Sequence, residues 1–202
     1  MDLDRRAAAG RVWSRDGRMM KDWLELMRIS VIDPRRGAAE LMASPWPEAA
    51  TPVLLALVAV LNGILYTLIL PPGMVFSPIA MAVVAGGIIW LSAWLLTKVG
   101  QYMGGGGTLP ALLRMVLFLQ VIRIFAQVAL LVLSVLVPPI AAIVSLAAGI
   151  WGIFMMVYFL TEAHGFDNRL KALGTLGVVF VATIVAASVL LSLVGGAALT
   201  EI

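Results

Sequence analysis

The sequence predicts an all-α membrane protein, a bundle of five transmembrane helices that follows an N-terminal cytoplasmic segment of amphipathic and juxtamembrane helices. The first observation is three stretches without a charged residue, 49–97, 124–161 and 172–200. About 20 apolar residues cross the hydrocarbon core, so each stretch can cross it once or twice. The second is composition, since 62% of the residues are hydrophobic, well above soluble proteins. The third is that Lys and Arg flank only every second connection between the predicted helices.

Proline and glycine divide these stretches into individual helices. Pro52 begins the first helix, Pro71-Pro72-Gly73 ends it, and Pro138-Pro139 separates the third helix from the fourth. The predicted helices are 52–70, 78–97, 109–137, 140–161 and 172–194. They form a membrane domain over 48–196, and 197–202 make a short tail.

The distribution of Lys and Arg predicts the orientation in the membrane, because these residues concentrate in cytoplasmic loops. Nine of the 14 precede the first predicted helix, and the loops after the second and fourth carry Lys98, Arg169 and Lys171. The other two connections and the tail contain none. We therefore expect a cytoplasmic N-terminus and a C-terminus on the opposite side.

The segment before the first span is predicted to be helical over 17–47, whereas 1–16 show no apolar period and are expected to be disordered. One helical face collects the apolar side chains of Met20, Trp23, Leu24, Met27 and Val31. Such a helix lies in the headgroup region or packs on cytoplasmic loops of the same protein. The sequence leaves both alternatives open.

A second short helix is predicted to begin at Asp33 and Pro34. Aspartate is a favoured N-cap, and proline is favoured at the first helical position. Arg35 and Arg36 follow directly, and we expect them near the lipid headgroups.

The third predicted span carries a polar stripe. At 100° per residue, four of its side chains fall within about 60° of one another. They are Gln120, Arg123, Gln127 and Ser134. An arginine in a span is costly and usually faces the bundle interior or a water-filled cavity. The stripe is either a polar cavity for a ligand or ion or, as we favour, a set of hydrogen bonds with Asn62 that fixes helix packing.

Glu162 closes the fourth span and is the nearest obvious counter-ion for Arg123, if that arginine extends toward the cytoplasm. We therefore expect the pair to latch the third helix to the fourth. His164 follows, before Gly165 and Phe166, and is the only histidine. A zinc site would need carboxylates for all its other ligands, so a structural role is expected.

The loop after the second span contains four consecutive glycines, Gly104, Gly105, Gly106 and Gly107. A phosphate-binding P-loop needs Lys-Ser/Thr directly after its glycines, whereas Thr108 here begins a helix with proline in the first turn. We expect a flexible cytoplasmic hinge. The backbone amides at this helix start could also accept an anion such as a lipid phosphate.

Several classes of function are not expected. The chain has no cysteine, which excludes disulfides, thiolate metal sites and a cysteine nucleophile. Its basic residues flank spans or alternate with acids, so nucleic acid is not an expected partner. No paired acid and base or metal-ligand set stands out. We therefore expect no catalytic, cofactor or metal site.

The order of these features resembles the bacterial branch of the Yip family, which are Ypt/Rab-interacting-type membrane proteins. The resemblance combines the Asp-Pro-Arg-Arg-Gly-Ala-Ala-Glu-Leu stretch at 33–41, five spans and two loops. The loop 104–108 resembles the family's Gly-Gly-x-Gly-Ser/Thr turn, and 162–166 is similar to the family's loop after the fourth span. The resemblance as a whole covers about residues 20–195.

The resemblance implies five helices, a cytoplasmic N-terminus, no enzymatic activity, and self- or hetero-association in the bilayer. Eukaryotic members bind prenylated Rab GTPases and act in vesicle traffic. This chain lacks their Asp-Leu-Tyr-Gly-Pro type segment, so binding of a small GTPase is not expected, and the expected setting is a bacterial inner membrane. The expected function is a scaffold or interaction partner in membrane organisation or trafficking-like processes. The alternative is a small channel or transporter component for a solute or lipid.

Overall fold

The structure is a computed structural model that describes residues 19–47, 49–69 and 77–199. In these ranges every regular element is an α-helix, and no β-strand occurs. The helices are α1 (Met19–Ile32), α2 (Pro34–Ala43), α3 (Ala50–Ile69), α4 (Pro78–Tyr102), α5 (Leu109–Leu136), α6 (Pro138–His164) and α7 (Arg169–Leu199). Helices α3 to α7 are long and apolar enough to cross a membrane. The predicted fold class is confirmed.

Two sequence-based expectations concern residues outside the described ranges. The predicted disorder of 1–16 falls entirely there. The predicted tail, 197–202, falls there only in part. Its first three residues belong to α7, which continues to Leu199, and 200–202 are not among the described residues.

Helices α4 and α6 extend a few residues past their predicted ends. The prediction stopped them at Lys98 and Glu162, but a charged side chain is compatible with a helix. What ends both helices is glycine in the left-handed conformation, with φ of 87° at Gly104 and 65° at Gly165. Glycine adopts this conformation without the steric cost that a Cβ imposes. Turn chemistry, rather than charge, sets these boundaries.

Helices α3 and α4 approach each other closely at two glycines. A Cβ added at Gly63 would lie within 3.0 Å of the Pro78 carbonyl oxygen and of Ala82, and one at Gly86 would lie 3.2 Å from the Ala59 Cβ. Small residues at such positions allow two helix backbones to approach, and the gain is van der Waals contact.

Helices α1 and α2 form a helical hairpin. Asp33 caps α2 by accepting a 3.2 Å hydrogen bond from the Arg36 backbone N–H. Gly37 lies directly against Ser30, because a Cβ at Gly37 would overlap the Ser30 side chain and Cα. The two helices therefore touch backbone to backbone.

The hairpin packs on the sides of α5 and α6. Trp23 contacts Trp46 and Phe118, with ring centroids 5.3 and 5.6 Å apart. Phe118 stacks in turn on Phe159 of α6 at 5.9 Å. The segment thus packs against the spans rather than on the cytoplasmic loops, and its placement in the headgroup region stays a prediction. The predicted apolar face of α1 is not the buried one, because Leu24 and Val31 are exposed whereas Leu26 and Ile29 are buried.

The tip of the hairpin lies far along α6. The indole Nε1 of Trp151 donates a 3.0 Å hydrogen bond to the Val31 carbonyl oxygen. Trp151 is 13 residues after Pro138, the first residue of α6, which corresponds to about 20 Å at 1.5 Å per residue. The turn between α1 and α2 is therefore level with the middle of this span.

Candidate functional site

The first candidate site is a polar contact between α3 and α5. Arg123 Nη2 donates a 2.6 Å hydrogen bond to Asn62 Oδ1. The Asn62 amide nitrogen donates to the Val58 carbonyl oxygen at 2.8 Å, and Asn62 is 1% exposed. The bond to its own helix holds the Asn62 side chain so that its oxygen faces the guanidinium. The contact therefore joins the first span to the third.

Arg123 retains an unneutralised charge. A guanidinium carries five N–H donors, and the described part of the chain supplies one side-chain hydrogen bond to them. No carboxylate of the described residues lies within 4.0 Å of Arg123, and the residue is exposed. One N–H group of the guanidinium thus bonds to Asn62, and the rest of the group faces outward from the contact.

Gln120 and Gln127 lie one turn to either side of Arg123. Their Oε1 atoms are buried and have no hydrogen-bond partner among the described residues. Buried polar atoms are nearly always paired in folded proteins. Contacts within the described part of the chain thus satisfy only some of the polar atoms of the stripe.

Two other residues predicted for this network do not join it. Ser134 donates to the Leu131 carbonyl oxygen of its own helix at 2.7 Å and is exposed. Glu162 is exposed and forms no ion pair with Arg123, so the predicted latch between them is wrong. Arg123 is 13 residues from the end of α5 and Glu162 is 24 residues from the start of α6. The difference of 11 residues separates them by about 16 Å along the bundle.

The second candidate site surrounds His164, which is 3% exposed. The Gly107 backbone N–H donates to His164 Nδ1 at 3.1 Å, and Nε2 lies 3.2 Å from the Leu96 carbonyl oxygen. Because Nδ1 accepts, Nε2 carries the proton and donates to Leu96. The Phe166 ring stacks on the imidazole at 4.9 Å. Both ring nitrogens are therefore occupied by the fold.

Three glycines make room for this imidazole. A Cβ at Gly100, Gly105 or Gly107 would lie within 3.0 Å of His164 atoms, whereas one at Gly106 would meet nothing closer than 3.8 Å. The Gly106 N–H donates to the His164 carbonyl oxygen at 2.8 Å. We call this arrangement the glycine clasp. The loop is a packed element, rather than the flexible hinge that its composition indicated.

Thr108 begins α5 without a side-chain hydrogen bond to the helix, so its predicted capping role is limited to the backbone. Gln101 supports the clasp from the other side by donating to the Gly107 carbonyl oxygen at 2.9 Å. In the loop after the clasp, a hydrogen bond from Lys171 lowers the pKa of the Asp167 carboxyl. Of these two contacts, only the one from Gln101 holds the glycine loop in place, because the Asp167–Lys171 pair is local and exposed.

The remaining predicted positions lie in the hairpin. Asp33 and Pro34 begin α2 as described. Arg36 pairs with Glu40 at 2.7 Å, whereas Arg35 is exposed and forms no ion pair with a described residue. Within the described ranges, no group of three or more His, Cys, Asp and Glu side chains has a metal-binding arrangement.

Sequence reasoning missed the link between Gly100 and His164. The spacing of Gly100, Gly105 and Gly107 together with a single histidine was a signal of close packing around one side chain. It also missed the Trp151 bond to Val31. That contact joins residues 120 positions apart, and no local pattern indicates it.

Comparison with known proteins identifies the family. No curated protein and no solved structure shows significant similarity to the chain. The family model for the Yip1 domain matches residues 29–190, which include most of the hairpin, the glycine clasp and nearly all of the five spans. The match extends over more than half of the sequence. The chain therefore belongs to the Yip1-domain family of membrane proteins.

Proposed function

We propose that this protein is a non-enzymatic scaffold or interaction partner in a bacterial inner membrane, with a cytoplasmic N-terminus. The observation that carries the proposal is the state of His164. Both of its ring nitrogens bond to the backbone, so the one histidine of the chain serves packing rather than proton transfer. The Arg123–Asn62 contact likewise joins two spans.

The exposed half of α6 supports an interaction role. From Pro138 to Phe154 its residues are exposed except Ala141 and Ala148. A Cβ at Gly149 or Gly152 would meet nothing within 4 Å. Small residues next to open space allow a further transmembrane helix to approach closely. We propose that another protein helix, from a second copy or a different protein, packs here.

Gentle-detergent purification of the tagged full chain, followed by mass spectrometry, tests this proposal. We expect a stoichiometric protein partner or a homo-oligomer with wild type and its loss with Gly149→Leu. Gly177→Leu is the matched control, because Gly177 of α7 also has nothing within 4 Å. A monomer without a protein partner, or equal association in both variants, would exclude the α6 contact.

The alternative is a channel or transporter component, and one observation favours it. The unpartnered Oε1 atoms of Gln120 and Gln127 are polar groups that a hydrated path would satisfy. The chain contains no cysteine, so Gln127→Cys gives a single labelling site. Reaction of this thiol with a water-soluble maleimide in membranes would favour a hydrated path. Protection from it, with reaction of a control Asp167→Cys, would favour dry packing.

A further inference from the structure

The hairpin of α1 and α2 lies beside only one half of the spans α5 and α6. Its open end contacts the second turn of α5, where Arg114 Nη1 donates a 3.3 Å hydrogen bond to the Ser44 carbonyl oxygen. Its tip bonds to Trp151, which is 13 residues from each end of α6. We call the end of the bundle that carries the glycine clasp the clasp end. The hairpin thus covers the half of these two spans nearer the clasp end.

The other half of the two spans has no such cover. All but two of residues 138–154 of α6 are exposed, and so are seven of the nine residues 128–136 of α5. Within the described residues, the protein therefore presents seven helices to the leaflet at the clasp end and five to the other leaflet. A transmembrane partner on α6 would occupy both leaflets, so it would leave this difference in place.

The length of α6 indicates how deep the hairpin reaches. The hydrocarbon core is about 30 Å thick, which corresponds to about 20 helical residues. Counted from Pro138 at the far corner, the core ends near Tyr158, and the tip beside Trp151 is about 10 Å inside it. The Arg169 guanidinium lies 4.6 Å from the centre of the Tyr158 ring, and tyrosine is enriched at membrane boundaries. By this measure the tip lies in the hydrocarbon and the open end of the hairpin in the headgroup region.

The exposed side chains of the hairpin suit this depth. The large apolar ones lie on α1, toward the turn, and they are Leu24 (53% exposed), Val31 (41%) and Ile32 (67%). Arg28 is exposed beside them and pairs with Glu25 at 2.6 Å, while Arg36 pairs with Glu40 at 2.7 Å. Long arginine side chains also extend toward the headgroups. Helices with an apolar face and arginines beside it insert about 5–10 Å into the boundary between headgroups and acyl chains.

We propose that the hairpin is a wedge in the leaflet at the clasp end, and that the protein therefore prefers membrane in which this leaflet is convex. Each helix is about 10 Å wide, so the pair adds about 160 Å² to the cross-section of one leaflet. A convex leaflet has more area at its headgroups, and the hairpin displaces less lipid there. The partner of this surface is the lipid surface itself, selected by its curvature. The preference does not depend on a protein partner.

Sorting between a flat membrane and a membrane tube tests the preference. The purified full chain is reconstituted in giant phosphatidylcholine vesicles, and a tube is pulled from each vesicle. The chain has no cysteine, and Asp167 lies in the loop at the clasp end. Asp167→Cys labelled from outside with an impermeant maleimide dye therefore marks only molecules whose clasp end faces out. We expect their enrichment in the tube relative to a lipid dye, because the outer leaflet of a tube is convex.

A second cysteine marks the opposite orientation. Val137→Cys lies in the corner between α5 and α6, at the other end of the bundle. The same dye then marks molecules whose hairpin lies in the concave inner leaflet, and we expect their depletion from the tube. A bundle without a wedge would sort both populations alike. Any pattern other than enrichment of the first population and depletion of the second would overturn the proposal.

The depth of the hairpin is measured separately. Ile32→Cys places a fluorophore at the tip, and Ala43→Cys, at another exposed position, places one at the open end. The vesicles contain lipids with a nitroxide quencher either in the headgroup or in the middle of an acyl chain. We expect the acyl-chain nitroxide to quench more strongly at Ile32 and the headgroup nitroxide at Ala43. Thermal melting in detergent is the folding control. Stronger headgroup quenching at Ile32 in a folded variant would exclude the wedge, whatever the sorting result.

Discussion

His164 illustrates how one side chain can organise the loops of a membrane protein. Its ring bonds to Leu96 and Gly107 backbone groups, so two buried polar backbone atoms depend on it. An unpaired buried donor or acceptor costs about 1–3 kcal/mol. Around the ring there is space for glycine alone at three positions. The role of the histidine is thus to satisfy and space the backbone.

The glycine clasp predicts that alanine substitutions at two neighbouring glycines differ in their effect on stability. Gly105→Ala would place a Cβ within 3.0 Å of His164, so we expect it to destabilise the protein by about 1–3 kcal/mol through overpacking. Gly106→Ala, at an exposed position with space for a Cβ, should change stability by less than about 0.5 kcal/mol. Thermal unfolding in detergent compares the two. Equal melting temperatures would contradict the packing of His164 against this loop.

The Arg123–Asn62 contact gives a second prediction at this scale. Asn62→Leu leaves the guanidinium without its partner, and we expect a loss of about 1–3 kcal/mol. In the double variant with Arg123→Leu neither member of this contact remains as an unpaired polar group, so its cost should be smaller than the sum of the single costs. A double-mutant cycle of unfolding free energies measures the difference. Strict additivity would show that the two side chains do not interact energetically.

At the scale of elements, the hairpin is held by side chains that differ in kind from those that pair the spans. Helices α3 and α4 meet through Gly63, Ala82 and Gly86. The hairpin instead contacts the spans through the aromatic rings of Trp23, Phe118 and their neighbours. Large rings contribute buried area and favourable ring geometry, which attach the hairpin to the sides of the spans.

A change at Gly37 is expected to loosen the hairpin while leaving the spans intact. Gly37→Ala would force a Cβ into Ser30 and should cost about 1–3 kcal/mol. Gly87→Ala is the control, because a Cβ there meets nothing within 4 Å and alanine favours the helix. Hydrogen exchange followed by mass spectrometry should show faster exchange in α1 and α2 of the Gly37 variant, and unchanged exchange in α4. Unchanged exchange throughout would mean that Gly37 does not hold the hairpin closed.

At the scale of the whole molecule, the orientation is tested by labelling single cysteines. Asp167 lies in the loop between α6 and α7, and Ser77 precedes α4 at the opposite end of the bundle. If the N-terminus is cytoplasmic, an impermeant maleimide added to intact cells should label Ser77→Cys but not Asp167→Cys. Inverted membrane vesicles should reverse the result. The opposite pattern would contradict the assignment made from Lys and Arg.

The five spans could be predicted because their signal is local, a run of apolar residues between Pro, Gly and charges. The start of α2 is local too, since Asp33 and Pro34 are neighbours. The docking of Trp23 on Phe118 could not, because it joins segments about 95 residues apart in sequence. Likewise, the stripe around Arg123 shows one face of a helix, but not which neighbouring span that face meets.

During synthesis, the hairpin is made long before the part of α6 on which it packs. Trp151 follows Val31 by 120 residues, so a ribosome adding about 5–20 residues per second completes the distance in roughly 6–24 s. Through that interval α1 and α2 exist without the surface on which they finally rest, while α3 and α4 already have one another. The two helices of the hairpin, although synthesised before the spans, are therefore among the last to reach their final contacts.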